Sequence, residues 1–136
     1  MKKVMISQPM GGLDDTAIKE ARRRATENLR KEGFEVADSY FTEEWIKLNA
    51  GGIKNKSLWC LAKSLEVMSH CDAVYFCEGW EKARGCRIER EAAAAYGLEI
   101  LEEISLKEKI EKEMEEAGVK TLKFENPFLK EENNEN

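Results

Sequence analysis

Two carboxylates, Asp72 and Glu89, are the residues best suited to chemistry. They flank a strand and a loop in the stretch DAVYFCEGWEKARGCRIEREAAAAYG, residues 72–97. The stretch predicts a buried strand at Ala73–Cys77 and a helix that begins near Cys86. An ionised carboxylate in a cleft can act as a nucleophile on the anomeric carbon of a sugar. A second carboxyl group can protonate or orient the leaving group.

Each of the two carboxylates also has a purely structural interpretation. Glu89 lies four residues after Gly85, where the free N–H groups of a helix start favour an ionised carboxylate. The same position suits an ordinary acid that only stabilises the helix. Asp72 is either a turn residue at the start of the strand or the acidic partner of Glu89. Spacing leaves both alternatives open.

Two glycine-containing loops offer groups that bind a ligand. The first follows the first strand and consists of Ser7, Gln8, Pro9, Met10, Gly11 and Gly12. Its hydroxyl, amide and glycine N–H groups suit a sugar or a phosphate, although it lacks the lysine of a phosphate-binding loop and the GxGxxG dinucleotide motif. The second contains Gly79, Trp80, Arg84 and Gly85. Trp80 either stacks on a nucleobase or seals the edge of the sheet.

Strands and helices alternate along the chain and predict the framework for these loops. Strands are expected at residues 2–7, 34–37, 73–77, 98–101 and 119–124, with helices at 17–32, 42–48, 58–68, 86–96 and 106–117. This order predicts an α/β fold, a three-layer sandwich with a mostly parallel sheet of four to five strands. Ligands bind at the carboxyl ends of such strands, so the loops after the first three strands are expected to meet there.

Length and composition limit the classes of function. The 136 residues suit one domain, expected at 1–125, with a polar tail at 126–136. No apolar run approaches the roughly 18 residues that cross a membrane, and no secretory signal is present, so a cytoplasmic protein without a membrane partner is expected. The net charge of −5 argues against a nucleic-acid polymer as partner.

The remaining charged and metal-binding residue types indicate no further site. The arginines at 22–24 are expected to form a solvated helix face. The four cysteines contain no CxxC pair and are expected to be reduced thiols. His70 has no partner at the spacing of metal ligands, so no metal is expected.

Three motifs together resemble the nucleoside 2-deoxyribosyltransferase-like superfamily, in particular its small bacterial and phage members. They are ISQPMGG, CDAVYFCEGW and GCRIEREAAAAYG, and the resemblance covers roughly residues 3–100. It implies a flavodoxin-like sheet and cleavage of the N-glycosidic bond of a deoxynucleoside or deoxynucleotide through a covalent intermediate. The deoxyribosyl group then passes to another base or to water, without a metal or other cofactor.

The resemblance also implies roles for individual residues. The nucleophile falls on Glu89 in the motif GxxxE, the acid on Asp72, and the sugar or phosphate on the loop Ser7–Gly12. Ala83 stands where a serine is common, and the adjacent Arg84 offers a cation in place of that hydroxyl. The partners implied are a small-molecule nucleoside or nucleotide and further copies of the chain in a homo-oligomer. A nucleotide-binding module of the same fold, without turnover, is the alternative.

Overall fold

A parallel sheet forms the centre of the fold. The structure is a computed structural model that describes residues 1–104 and 106–118. These residues form four strands in the order β2-β1-β3-β4. The strands are β1 (Lys3–Ser7), β2 (Glu35–Ala37), β3 (Ala73–Phe76) and β4 (Glu99–Glu102). All neighbouring pairs are parallel, so the carboxyl ends of the strands lie along one edge, called here the carboxyl edge.

Helices connect the strands, and side-chain caps define the starts of the first three. The described residues contain α1 (Asp15–Lys31), α2 (Glu43–Asn49), α3 (Lys56–Met68), α4 (Arg84–Ala95) and α5 (Leu106–Glu116), and a short 3₁₀ turn at Trp80–Lys82. The side chains of Asp14, Thr42 and Asn55 accept hydrogen bonds from the first turns of α1, α2 and α3. Such caps stabilise a helix start by about 1 kcal/mol.

The sheet is buried on both faces, which makes the unit a three-layer sandwich as the sequence predicts. On the α1 side the core consists of Val4, Ile6, Ala25, Leu29, Ala73 and Cys77. On the opposite side it consists of Met5, Met68, Val74, Phe76 and Ala93, from α3, α4 and the sheet. Successive strand residues alternate between the two clusters, as the pleat of a strand requires. The central strands are therefore apolar at Val4–Ile6 in β1 and at Ala73–Phe76 in β3.

The chain divides into two compact units, Met1–Glu103 and Ile104–Asn136. The first contains the whole described sheet with α1 to α4, and α5 belongs to the second. The predicted strand at 119–124 and the predicted tail at 126–136 lie outside the described residues. The predicted domain boundary at residue 125 stays a prediction. In the described part of the chain, no helix has the length and apolar character to span a membrane.

Candidate functional site

The loops that follow β1 and β3 meet at the carboxyl edge. A Cβ atom placed on Gly79 would lie 3.7 Å from Cγ of Pro9. Gly79 has a φ of 89°, in the left-handed region that favours glycine. This turn directs the chain from β3 toward the start of α4. The loop Ser7–Gly12 and the segment that carries α4 are thus adjacent, as the parallel topology predicts.

The start of α4 differs from the predicted start and changes the position of Glu89. The helix begins at Arg84, two residues before the predicted start at Cys86, and its N-cap, Ala83, provides no side-chain hydrogen bond. Sequence patterns did not mark this start because alanine is not a capping residue. Glu89 is consequently the sixth helical residue and lies in the second turn. The helix dipole acts mainly within the first turn, so it stabilises an ionised Glu89 less than the sequence predicted.

Glu89 lies on the face of α4 that packs on the sheet. Cys86, Glu89 and Ala93 share this face because they are three and four residues apart. Cys86 and Ala93 are buried, and Glu89 is partly buried. Burial raises the pKa of the Glu89 carboxyl, whereas the Ser7 hydroxyl and the charge of Arg22 oppose this rise. The carboxyl group therefore occupies a partly desolvated position with one hydroxyl and one cation close by.

Ser7 supplies an unpaired buried hydroxyl beside Glu89. The residue ends β1 and is only 2% exposed. Its hydroxyl is close enough to the Glu89 carboxyl and the Cys86 thiol to lower the pKa of both. Its Oγ nevertheless has no hydrogen-bond partner among the described residues. A buried hydroxyl without a partner costs about 1–3 kcal/mol, so its place next to a carboxylate indicates a site for a polar ligand.

Arg22 is partly buried, so the prediction of a solvated face is wrong for this arginine, whereas Arg23 and Arg24 are exposed as predicted. Arg22 lies between Ile18 and Ala25 on the buried face of α1. Its Nη2 donates a hydrogen bond of 3.1 Å to Oγ of Ser39. Arg23, in contrast, forms surface ion pairs within α1. The spacing from Ile18 to Ala25 was the signal that distinguishes Arg22 from its neighbours.

The structure does not bring Asp72 and Glu89 together. Asp72 precedes β3 and lies at the amino edge of the sheet, where its Oδ2 accepts the backbone N–H of Lys3 at 2.9 Å. Glu89 lies at the carboxyl edge, and the four residues of β3 between the two edges span about 13 Å at roughly 3.3 Å per residue. The expectation of a carboxylate pair in one site is thereby corrected. A residue before a parallel strand cannot lie at its carboxyl end.

The other residues predicted to bind substrate differ in their surroundings. Gln8 is buried, and its Nε2 donates to the carbonyl oxygen of Ile18 at 2.6 Å, while its Oε1 has no partner among the described residues. Pro9 and Gly85 are partly buried, and Met10, Gly11, Gly12 and Arg84 are exposed. Pro9 is the member of the loop Ser7–Gly12 that lies against the turn before α4.

Trp80 packs against the sheet rather than standing free in the loop. Its ring lies 5.7 Å from that of Phe76 and 4.4 Å from the guanidinium carbon of Arg90. Arg90 in turn forms an ion pair with Glu102. These contacts favour the interpretation that Trp80 seals the edge of the sheet.

The fold and the site define a parallel α/β protein with a partly buried carboxylate at the carboxyl edge. The chain belongs to the family described as Domain of unknown function (DUF4406), whose model matches residues 2–102. The matched region includes all four described strands and α1 to α4. Comparisons with curated proteins and with solved structures found no match. Among the described residues no cluster of three histidine, cysteine or acidic side chains is arranged to hold a metal ion.

Proposed function

We propose that the protein cleaves the N-glycosidic bond of a deoxynucleoside or deoxynucleotide, with Glu89 as the nucleophile. The observation that carries the proposal is the partly buried Glu89 carboxyl beside the unpaired Ser7 hydroxyl at the carboxyl edge. The motifs that resemble the nucleoside 2-deoxyribosyltransferase-like superfamily supply the reaction. Both lines of support converge on the same glutamate and the same loop, Ser7–Gly12.

The reaction proceeds in two displacements at the anomeric carbon. A carboxylate oxygen of Glu89 attacks this carbon, and the bond to the base nitrogen breaks with its electron pair on the base, which takes up a proton. The resulting glycosyl ester is then attacked by water or by a second base, which releases Glu89 as a carboxylate. Partial burial makes the carboxylate a stronger base and nucleophile than one in water. Asp72 lies too far from Glu89 to protonate the leaving base.

Base release measured by chromatography tests the proposal. The wild-type protein is incubated with each deoxynucleoside and its 5′-phosphate, with and without a free acceptor base. We expect release from at least one substrate, and a loss of at least about 10³-fold for Glu89→Ala, because the covalent route disappears. Glu91→Ala, at an exposed position of the same helix, is the matched control. Failure of the wild-type protein to release base from any substrate would refute the proposal.

A binding module without turnover is the second candidate. It is favoured by the position of Asp72, because the site contains only one carboxylate of the predicted pair. In that case calorimetry would detect a nucleoside or nucleotide binding equally well to wild type and to Glu89→Gln, and chromatography would detect no base. Weaker binding by Glu89→Gln together with base release by the wild type would exclude this candidate. The homo-oligomer and the small-molecule partner implied by the resemblance stay predictions.

A further inference from the structure

We propose that Gln8 and Arg22 form a subsite that binds one hydroxyl group of the ligand, with Oε1 of Gln8 as the acceptor and Nε of Arg22 as the donor. Two buried polar atoms without partners carry the inference. That the ligand is a nucleoside rests on the proposed function, whereas the subsite itself rests on hydrogen bonds of the two side chains. It adds a requirement that Glu89 and Ser7 do not impose, namely a free hydroxyl at one position of the sugar.

Helix α1 holds the side chain of Gln8 in a fixed orientation. The residue follows β1 directly and is 9% exposed. Its Nε2 donates to the carbonyl oxygen of Ile18 at 2.6 Å. Because a carbonyl oxygen only accepts hydrogen bonds, the amide must face Ile18 with its nitrogen. Its Oε1 is therefore turned to a different side, where it is buried and has no partner among the described residues.

Hydrogen bonds fix the guanidinium of Arg22 beside the same strand. Its Nη2 donates to Oγ of Ser39, and this hydroxyl donates to the carbonyl oxygen of Ile6, each at 3.1 Å. The two bonds keep Nη2 within about 6 Å of the Ile6 oxygen. The ring of Tyr40 covers one side of the guanidinium, with its centre 5.4 Å from the guanidinium carbon. The Nε atom, like Oε1 of Gln8, is buried without a partner in the described part of the chain.

Gln8 and Arg22 lie close together because both connect α1 with the end of β1. Ile18 precedes Arg22 by one helical turn, so its carbonyl oxygen accepts the backbone N–H of Arg22 as well as the amide of Gln8. The amide nitrogen of Gln8 is thus no more than about 6 Å from the backbone nitrogen of Arg22. On the strand, Ile6 packs against α1, and Gln8 follows two residues later on the same side. An unused acceptor and an unused donor therefore lie in one region between α1 and the carboxyl end of β1.

The donor and the acceptor together select a hydroxyl group. A hydroxyl oxygen accepts from the guanidinium, and its proton is donated to the amide oxygen of Gln8. An ester oxygen of a phosphate at the same place has no proton to donate, so it leaves the amide oxygen unpaired. Both protein atoms are closed off from solvent, and the ligand reaches them by displacing the partly exposed ring of Tyr40. A ligand hydroxyl that pairs with both atoms removes the unfavourable free energy of two unpaired buried groups.

Calorimetry with matched ligands tests the inference. Each deoxynucleoside is compared with analogues that lack either the 3′-hydroxyl or the 5′-hydroxyl. The measurement uses Glu89→Gln, which consumes no ligand, and wild type alongside it. We expect one of the two analogues to bind at least about tenfold more weakly than its parent nucleoside, because it leaves both buried atoms unpaired. A phosphate ester at the same hydroxyl should weaken binding as much as its removal does.

Substitutions of the two side chains assign this loss to Gln8 and Arg22. Arg22→Lys keeps the charge but lacks Nε, and Gln8→Leu keeps a similar size but lacks the acceptor. Each should weaken binding of the parent nucleoside by about tenfold and leave binding of the weaker analogue unchanged. The two substitutions combined should cost little more than either alone, because both act on one hydroxyl. Arg24→Lys, at an exposed position of α1, is the matched control and should change no affinity.

Three results would overturn the subsite. One is equal binding of the parent nucleoside and both analogues, which is also the result if the two side chains hold only a water molecule. Another is a variant that weakens every ligand equally, the weaker analogue included, because such a loss is structural. The third is the absence of binding by every deoxynucleoside to both wild type and Glu89→Gln. If Gln8→Leu or Arg22→Lys does not fold, as judged by circular dichroism, the ligand comparison decides alone.

The outcomes also separate this inference from the proposed function. Base release by the wild-type protein without discrimination between the analogues leaves the proposed function and removes the subsite. Discrimination between the analogues without base release keeps the subsite and removes the proposed reaction.

Discussion

Glu89 lies at the carboxyl edge of the sheet and Asp72 at the amino edge, so the two carboxylates have different surroundings. The carboxylate of Asp72 is exposed and binds the backbone of the neighbouring strand. The carboxyl group of Glu89 is partly desolvated and lies beside a hydroxyl without a partner. A residue that contributes to stability and a residue suited to chemistry therefore flank the same strand.

Substitution of Asp72 tests this separation. Asp72→Ala should lower the free energy of unfolding by about 1 kcal/mol, because the Lys3 N–H loses its acceptor, and should leave base release or ligand binding unchanged. Urea denaturation and chromatography measure the two effects. Asp72→Asn, which keeps an oxygen acceptor, is the control and should lose less stability. A loss of activity as large as that of Glu89→Ala would show that Asp72 takes part in the chemistry after all.

The sequence singled out Glu89 and the loop after β1 as candidates, and the structure places both at the carboxyl edge, but the sequence patterns did not single out Arg22. Glu89 became a candidate because it follows Gly85 in the local motif GxxxE near the start of a predicted helix. Arg22 was assigned to the surface because it stands among other arginines, and only its register with Ile18 and Ala25 distinguishes it. Asp72 was paired with Glu89 because both flank one strand-loop-helix stretch and because the resemblance implies an acid there, although the direction of a parallel strand already assigns it to the opposite edge.

At the scale of elements, the turn at Gly79 sets where α4 begins. The turn adopts a left-handed conformation immediately before the 3₁₀ turn, and it lies against Pro9 of the first loop. Because α4 carries Glu89, the geometry of this turn helps to place the carboxylate relative to Ser7. The order and types of the elements were predictable from apolar spacing and capping residues, whereas the start of α4 was not, since Ala83 gives no capping signal.

Alanine substitutions at Gly79 and Gly85 should change the free energy of unfolding differently, because only Gly79 has a positive φ. Gly79→Ala should lower the free energy of unfolding by about 1–2 kcal/mol, because a residue with a Cβ is strained at positive φ. The contact with Pro9, at 3.7 Å, adds no clash. Gly85→Ala is the matched control: it lies in α4, its Cβ would meet nothing within 4 Å, and alanine favours a helix by about 1 kcal/mol over glycine. Thermal unfolding that shows equal effects for both variants would contradict this assignment.

For the molecule as a whole, Glu89 links stability to pH. Its pKa in the folded protein is raised above the ordinary glutamate value of 4.5. Between these two values the folded state binds more protons than the unfolded state, so stability falls as the pH rises through this window. At neutral pH the ionised, partly buried carboxylate is therefore a net cost to the fold.

Glu89→Gln should remove this cost. At pH 7 we expect the variant to be more stable than wild type, and the difference should disappear below the ordinary glutamate pKa of 4.5. Thermal unfolding at both pH values measures the effect. Glu91→Gln, an equal loss of charge at an exposed position of α4, should change stability by less and without this pH dependence. A variant less stable than wild type at pH 7 would show that Glu89 contributes to the fold.

The attachments of α4 have a consequence for descent within the family. Ala93 packs α4 against the sheet. Arg90 holds the same helix through its contacts with the Trp80 ring and the Glu102 carboxylate. None of these contacts involves Glu89. Of the adjacent positions 89 and 90, residue 90 thus holds the helix in place. We therefore expect a protein with another residue at position 89 to keep this architecture. Membership in the family therefore indicates the fold alone. The residue at the position of Glu89 has to be checked before an activity is proposed for another member.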